Sequence, residues 1–483
     1  MKKPIFWLAL AMTGCMLGPN YHTPDINVSN HWETEAANSM PAQKWWEELQ
    51  DELLNRYVEV ASEYNYDIQA AEANILRARA LRQIAASTLF PHINFDLNGT
   101  KTYFSKNGPV FAIGQAAGNP ADTSSTTTGL PFAIQTPQIQ NLFNALFDAS
   151  WELDFFGKNR RAVESAVAEL ESRIAQRDDI LLSVQAEVAR NYIDLRGFQR
   201  RTHLLEQNIA LYEQHAAIIR MAVDVGYANQ LDLENIEAQL ASAKGALPDA
   251  MAEVHRAIFT LSILIGRPPE TLVEELFTPA PLPMAPNHVA VGCRSDLLRR
   301  RPDVRVAERK LAEATANIGV AVASFFPTVT LLANGGWQSL MLPQLFNWGS
   351  RTWAYGADVN MPIFEGGNLV GNLHFTQAEQ AYYAAQYQQA VLSALQDAEK
   401  NLRNYVETAQ SSVEYDQNVR HNELVVAITR ERFLKGLINR IDLLNNEKQL
   451  ISAQLTQLDS KMAELFALIA LYKSLGGGLN LSE

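Results

Sequence analysis

The sequence offers few side chains for covalent chemistry, and their spacing argues against an enzyme. Its nine histidines are never within eight residues of one another, so no local pair has the spacing of zinc ligands. The strings typical of phosphate-binding loops, serine hydrolases and zinc proteases are also missing from the sequence. We therefore expect a non-enzymatic protein with no metal and no cofactor.

One cysteine, Cys15, stands where a covalent lipid could be attached. Residues 1–14 combine a basic start, a short apolar run and a small pair before the cysteine, which is the pattern of a signal peptide. The apolar run is shorter than the ~20 residues that cross a bilayer. We expect cleavage before Cys15 and acylation of its sulfur, with an ordinary cleaved signal as the alternative. Cys293 would then have no intramolecular partner, so no disulfide framework is expected.

The charge balance of the chain excludes one class of partner. Its 483 residues carry a formal net charge of -13, with 47% apolar and 19% charged residues, which is typical of a folded protein. Binding to a phosphate backbone needs a compact basic surface, whereas the arginine runs at 200–201 and 299–301 are short and flanked by acids. We therefore expect no nucleic acid partner.

The chain contains two copies of one module. Residues 67–72 match 303–308 at an offset of 236, and residues 226–233 match 436–443 at an offset of 210. Two constant offsets over long stretches indicate a tandem duplication. Since the offset falls from 236 to 210, the first copy is the longer one in its middle.

The middle of each copy alternates between apolar and polar residues, which predicts strands at 92–104, 139–156, 327–338 and 352–364. Alternation over this length is typical of transmembrane β-barrels, although an ordinary half-buried sheet gives the same pattern. The odd-numbered positions are mostly apolar and would face lipid. The even-numbered acids would then face a lumen and favour cations: Asp96, Asp148, Glu152, Asp154 and Asp358.

Long helices flank these strands. Apolar residues recur at seven-residue steps from Val163 to Val223, which predicts a coiled coil about 100 Å long at 1.5 Å per residue. Gly226 and Gly436 lie where the first helix of each pair must end. The predicted helices are 159–225, 232–264, 370–435 and 442–474.

Four strands cannot close a barrel, because about eight are the practical minimum. The chain must therefore oligomerise if its strands span a membrane. Two copies would give a barrel filled by side chains, and three would give an open lumen. Long helices that continue from an open barrel would form a duct.

Several strings of the sequence resemble one known family. They are Ser295–Arg305, Ala307-Glu308-Arg309, Ile318-Gly319, Phe325-Phe326-Pro327 and Cys15-x-x-Gly18-Pro19-Asn20-Tyr21-x-x-Pro24. They closely resemble the hallmarks of TolC-like outer-membrane efflux lipoproteins of the NodT/OprM type. The resemblance covers nearly the whole mature chain. It departs from the family at Cys293-Arg294, where members usually carry an apolar residue and a proline.

The resemblance implies a lipid-anchored homotrimer in the outer membrane, α+β in class, with a twelve-stranded barrel and a helical periplasmic tunnel. It also implies docking to a periplasmic adaptor and to an inner-membrane transporter of the RND class, with passive export of small toxic compounds. The expected segments are a signal peptide (1–14), an N-terminal equatorial segment (15–65), a first repeat (66–265), an equatorial linker (266–302), a second repeat (303–475) and a tail (476–483).

The turns between paired helices carry the candidate gate residues. Asp232 and Asp442 are equivalent by the repeat, and in a trimer each would form a ring of three carboxylates. In the family, the aspartate that matches Asp442 helps to constrict the entrance. Helix capping alone is the alternative, since aspartate is a preferred N-cap. Arg440 and Tyr227 are candidates for holding the turns closed between protomers.

Two alternative functions stay open. The same duct could serve type I protein secretion or metal-ion efflux. A lipid-anchored periplasmic coiled-coil scaffold without a pore would also use the helices, but it would leave the four alternating strands unexplained.

Overall fold

The computed structural model describes residues 15–24, 32–33, 42, 44–105, 138–286 and 288–477. The expected signal peptide, most of the segment between the first two strands and the last six residues of the tail lie outside this part of the chain. The described residues form two compact units, one within 15–21, 81–166 and 314–378, the other within 22–80, 167–313 and 379–477.

The first unit contains a four-stranded antiparallel sheet in which the strands follow one another in chain order. The strands are β1 (His92–Tyr103), β2 (Ile139–Leu153), β3 (Thr328–Ser339) and β4 (Arg351–Asn360). All four strands were predicted from the alternation, but β2 ends three residues and β4 four residues before the predicted bounds. Both ends were overestimated because Phe155, Met361 and Ile363 continue the apolar series at odd-numbered positions beyond the last residue of each strand.

The register of the sheet separates two faces. Asn94 pairs with Asp148, and Asp148 pairs with Asn334, so even-numbered residues lie opposite even-numbered residues across the sheet. The same parity holds between β3 and β4, where Thr330 pairs with Asp358. Because directly opposed residues project from the same face, one face collects the polar side chains and the other the apolar ones.

Both outer edges of this sheet are long. In the described part of the chain, β1 pairs only with β2 and β4 pairs only with β3. The outer edges therefore present rows of backbone N–H and C=O groups over 12 and 10 residues. Such edges invite pairing with another chain.

The helices repeat in length as well as in sequence. The helices are α1 (Glu52–Tyr64), α2 (Tyr66–Ser87), α3 (Lys158–Asp224), α4 (Gln230–Leu264), α5 (Val273–Leu276), α6 (Arg294–Arg300), α7 (Pro302–Ala323), α8 (Asn368–Leu434) and α9 (Arg440–Ser474). Helices α2 and α7 both have 22 residues, α3 and α8 both have 67, and α4 and α9 both have 35. The duplication and the long paired helices predicted from the sequence are thus confirmed.

The core of the second unit combines aliphatic side chains with a few buried aromatic rings. Trp45 is fully buried and stacks on Tyr472, with 5.4 Å between the ring centres. Asp51 begins α1 by accepting the N–H groups of Leu53 and Leu54, and it also accepts a hydrogen bond from Tyr192. The N-terminal segment is therefore held against the long helices by packing and by a capping carboxylate.

No described helix is both long enough and apolar enough to cross a bilayer.

Candidate functional site

The two helix–helix turns have the same backbone geometry. Gly226 and Gly436 adopt φ values of +79° and +71°, in the left-handed region that suits glycine. At the first turn the N–H of Tyr227 donates to the carbonyl of Ala222, and at the second that of Leu437 donates to Arg432. With the matching bonds of the two glycines, these contacts form Schellman motifs that end α3 and α8. Gly226 and Gly436 are therefore the glycines at which these two helices end.

The helices after the turns are capped by asparagines. Asn229 accepts the N–H of Asp232, and Asn439 accepts the N–H of Asp442, each at 2.8 Å. The expectation that the two aspartates are N-caps is therefore wrong, because each helix begins two residues earlier than predicted. Asp232 still contributes to the first cap, since its carboxylate faces the N–H of Asn229 at 3.4 Å. Both aspartates are exposed.

An arginine–glutamate pair joins the two helices of each hairpin. Arg220 of α3 lies 2.5 Å from Glu237 of α4, and Arg430 of α8 lies 2.9 Å from Glu447 of α9. The two pairs are equivalent at the offset of 210, so each hairpin carries the same ionic clamp near its turn. The repeat at an offset of 210 is the sequence signal that could have predicted these two pairs.

The other two gate candidates have different surroundings. Arg440 donates to Gln214 at 2.7 Å and lies 3.8 Å from Glu447, so it is engaged within its own protomer. Tyr227 is 90% exposed. The structure thus connects Arg440 to α3 and leaves the ring of Tyr227 in solvent.

The polar face of the sheet carries four of the five predicted lumenal acids. Asp148 lies between Asn94 and Asn334, and Asp358 pairs with Thr330. Asp96 and Glu152 project from the same face by parity. The register therefore brings these acids onto one surface.

The fifth acid, Asp154, has a different position. It follows the last residue of β2, and its carboxylate accepts the N–H groups of Asn159 and Arg160 at 3.1 and 2.9 Å. Its side chain is only 10% exposed and also binds the guanidinium of Arg160. Asp154 therefore holds the strand-to-helix turn, a role that alternation alone could not reveal.

A row of amides crosses the same polar face. Asn144 donates to Asn98, and Gln338 donates to Asn144, both at 2.9 Å. This row could not be predicted from the sequence, because it depends on the register between strands that are far apart in the chain. The row ties three strands together through side chains and adds a neutral polar band to the acidic face.

The N-terminal segment is held by one buried arginine. Cys15 itself is exposed. Just after it, the carbonyls of Leu17 and Gly18 and the side chain of Asn20 accept hydrogen bonds from Arg161, at 3.0, 3.2 and 2.8 Å. Arg161 is 1% exposed and belongs to the first turn of α3. The candidate lipid-bearing residue therefore starts a segment that is fixed beside the strand-to-helix turn.

A metal site has no support in the described ranges, where no group of three or more His, Cys, Asp or Glu side chains has a suitable arrangement.

Comparison with known families gives one match over most of the chain. The profile described as outer membrane efflux protein matches residues 58–267 and 293–477. The toluene efflux pump outer membrane protein TtgF of Pseudomonas putida is 27% identical, with 98% of this chain and 95% of that protein covered. The antibiotic efflux pump outer membrane protein ArpC of Pseudomonas putida is also 27% identical, with 99% and 96% covered.

A solved structure shares the fold. The outer-membrane channel OprN superimposes with a TM-score of 0.81 at 28% identity, and the match covers 96% of this chain and 99% of that one. Both copies of the repeated module are therefore present in a known channel.

Proposed function

This chain belongs to the outer membrane efflux protein family, and we propose that three copies of it form the passive outer-membrane duct of a tripartite pump for small toxic compounds. The observation that carries this proposal is the sheet, which has one polar face, one apolar face and two long edges that no strand covers in the part of the chain that the structure describes. A soluble scaffold would have no need for a surface of this kind.

Closure of the sheet requires more than one copy. Pairing of β4 of one copy with β1 of the next is a head-to-tail contact, which forms a ring when the rotation closes. Two copies would supply eight strands, whose interior is filled by side chains, and three would supply twelve. The homotrimer is thus the smallest assembly of this sheet that leaves an open lumen.

The two faces fit a barrel in lipid. The apolar face carries exposed aromatic and aliphatic residues, including Phe95, Leu97 and Trp353. In a closed ring this face would contact the hydrocarbon, and the face of Asp148 and Asp358 would line the lumen. The lipid that we propose on Cys15 would add a second membrane attachment to that of the strands.

The helix turns support a periplasmic partner. Tyr227, Leu231 and Leu437 are 90%, 67% and 65% exposed and lie within or beside the two turns. Exposed apolar side chains clustered at one structural feature mark interaction surfaces. We propose that the turns dock to a periplasmic adaptor, which connects the duct to an RND transporter in the inner membrane.

The exported compounds are proposed from the relatives. Two of them are named for toluene and antibiotic efflux, so small toxic molecules are the substrate class that this similarity favours. We assign the chain no catalytic step and no cofactor, because the inner-membrane partner would supply the energy.

Deletion of the gene tests the proposal. We expect raised sensitivity to several solvents or antibiotics, restoration by the intact chain, and co-purification of a periplasmic adaptor with it. The matched control is complementation with a chain that lacks 328–360, which removes β3 and β4. Unchanged sensitivity together with a secreted protein trapped in the cell would overturn drug efflux in favour of type I secretion.

A further inference from the structure

A contact between α3 and α9 joins two groups that can both carry a positive charge. Lys448 Nζ lies 3.0 Å from His215 Nδ1, and it also lies 4.7 Å from the centre of the Tyr212 ring. His215 is only 9% exposed. An ammonium group can only donate hydrogen bonds, so Nδ1 must accept, and this requires a neutral imidazole.

Protonation of His215 would reverse this contact. Nδ1 would become an N–H donor, so the hydrogen bond would be lost and two cations would face each other at close range. Burial, and next the charge of Lys448, lower the pKa of His215 from its usual 6.5. Because the pKa is lower in the folded state, the contact keeps its full strength above pH 6.5 and weakens as the pH falls below it.

The charged groups on the neighbouring helices have other partners. Lys244 of α4 lies 2.7 Å from Glu213, which is on the same helix as His215. Arg430 of α8 lies 2.9 Å from Glu447. Arg440 of α9 donates to the amide of Gln214. In the described part of the chain, Lys448 is therefore the charged group that bears on the imidazole.

The contact occurs in only one of the two repeats. At the offset of 210 the equivalents of His215 and Lys448 are Val425 and Ala238. The ionic clamps within each hairpin are shared by both copies, whereas the histidine–lysine contact connects the first hairpin to the second. His215 lies about three helical turns before Gly226, so the contact bears on the region of the turns.

We propose that His215 and Lys448 form an acid-sensitive latch that holds the α8–α9 hairpin against the α3–α4 hairpin near the turns. The latch holds at neutral pH and releases when the periplasm becomes acidic. Its consequence for transport, a wider inner end of the duct at low pH, rests on the proposed function. Release of the helix contact itself does not.

Hydrogen exchange of the detergent-solubilised full-length protein tests the release. Rates corrected for intrinsic pH dependence are compared at pH 7.5 and 5.5 for peptides covering 208–219 and 440–450. We expect up to about tenfold faster exchange at pH 5.5, because this pH lies one unit below the usual histidine pKa of 6.5 that applies once the contact has opened, and each unit changes the ratio of charged to neutral imidazole tenfold. His215→Gln should remove this pH dependence, whereas His421→Gln, which changes an exposed histidine on α8, should retain it.

Two results would overturn the latch. One is equal protection of these peptides at both pH values in the unmodified protein, and the other is an undiminished pH response in His215→Gln. Lys448→Met provides a second variant, because it removes the repulsion while keeping an unbranched side chain over Tyr212. It should weaken the pH dependence without abolishing it, because burial of His215 still lowers the pKa of the imidazole, and this readout does not depend on whether His215→Gln folds.

Conductance in planar bilayers tests the consequence separately. We expect the conductance of the unmodified protein to rise below pH 6.5 and that of His215→Gln to stay constant. If hydrogen exchange depends on pH and conductance does not, the latch exists but does not control the width of the duct. Absence of any conductance at either pH would instead count against the proposed function.

Discussion

Arg161 offers the sharpest test of how the N-terminal segment is positioned. Its guanidinium makes three hydrogen bonds to the segment, to Leu17, Gly18 and Asn20, and a fourth to Glu164 at 2.7 Å. Replacement by leucine keeps part of the apolar stem and removes all four bonds. The strand-to-helix turn should remain, because its own bonds run to Asp154.

The size of the effect follows from the three lost bonds. A hydrogen bond to a charged group contributes about 1.5–3 kcal/mol. The acceptors Leu17, Gly18 and Asn20 are partly or fully exposed, so water can replace some of this, and the lower limit applies. Three bonds at this limit give a cost of about 4–5 kcal/mol in the free energy of local opening, which is a rise of about a thousandfold or more at about 1.4 kcal/mol per factor of ten.

The reporter is the N–H of Leu17, which donates to the carbonyl of Phe156 at 3.2 Å. Its hydrogen exchange should accelerate strongly in Arg161→Leu and moderately in Arg161→Lys, since lysine keeps the charge but not the planar fork. Arg173→Leu is the matched control, because Arg173 lies on the same helix and binds Glu169 and Gln176 instead. Unchanged exchange in Arg161→Leu, or equal acceleration in the control, would refute the reasoning.

Three further predictions address the membrane anchor, the lumen and the turns. Cys15→Ser should remove the lipid mass from the mature N-terminus yet leave the protein in the membrane fraction, and a water-soluble product would favour the scaffold alternative. Asp148→Asn with Asp358→Asn should reduce the cation preference measured as a reversal potential in a salt gradient; an anion preference of the unmodified trimer would contradict the acidic lumen. Gly436→Ala should lower the stability of the second turn by about 1 kcal/mol through the positive φ alone, because an added Cβ would meet nothing within 4 Å. Faster hydrogen exchange confined to that turn should show the loss.

The sequence predicted the regular elements because each repeats a period over many residues. Alternation placed β1 within one residue of its observed end, and the seven-residue steps from Val163 placed α3 within one residue at both ends. These signals are strong because the buried face of each element is specified many times over. The duplication reinforced them, since both copies had to satisfy the same pattern.

The contacts that hold the candidate sites could not be predicted in the same way. The acceptors of Arg161 lie more than 140 positions earlier in the chain, and no period connects them to it. Asp154 follows the even-numbered pattern of β2, yet it belongs to the turn because two backbone N–H groups of α3 face it. Such assignments depend on one local geometry and not on a repeated pattern.

The duplication also explains how the two hairpins could differ in function. Both copies keep the ionic clamps Arg220–Glu237 and Arg430–Glu447, each of which joins the two helices of its own hairpin. Contacts between the hairpins occur once, as at Arg440 and Gln214. A hairpin that is clamped internally and joined to its neighbour by unrepeated polar contacts can move as one body, which is what a gate requires.

Replacement of Asp442 can distinguish pore lining from helix capping. The sequence was compatible with both roles. The cap of α9 is Asn439, which accepts the backbone N–H of Asp442, so Asp442→Asn leaves this bond in place. Asp232 is less suitable, because its carboxylate also completes a capping box. We therefore expect Asp442→Asn to leave thermal stability unchanged while lowering cation conductance, whereas Asn439→Ala should cost about 1 kcal/mol through the lost cap. If Asp442→Asn changes neither quantity, the carboxylate does not line the pore, and the gate must lie elsewhere on the turns.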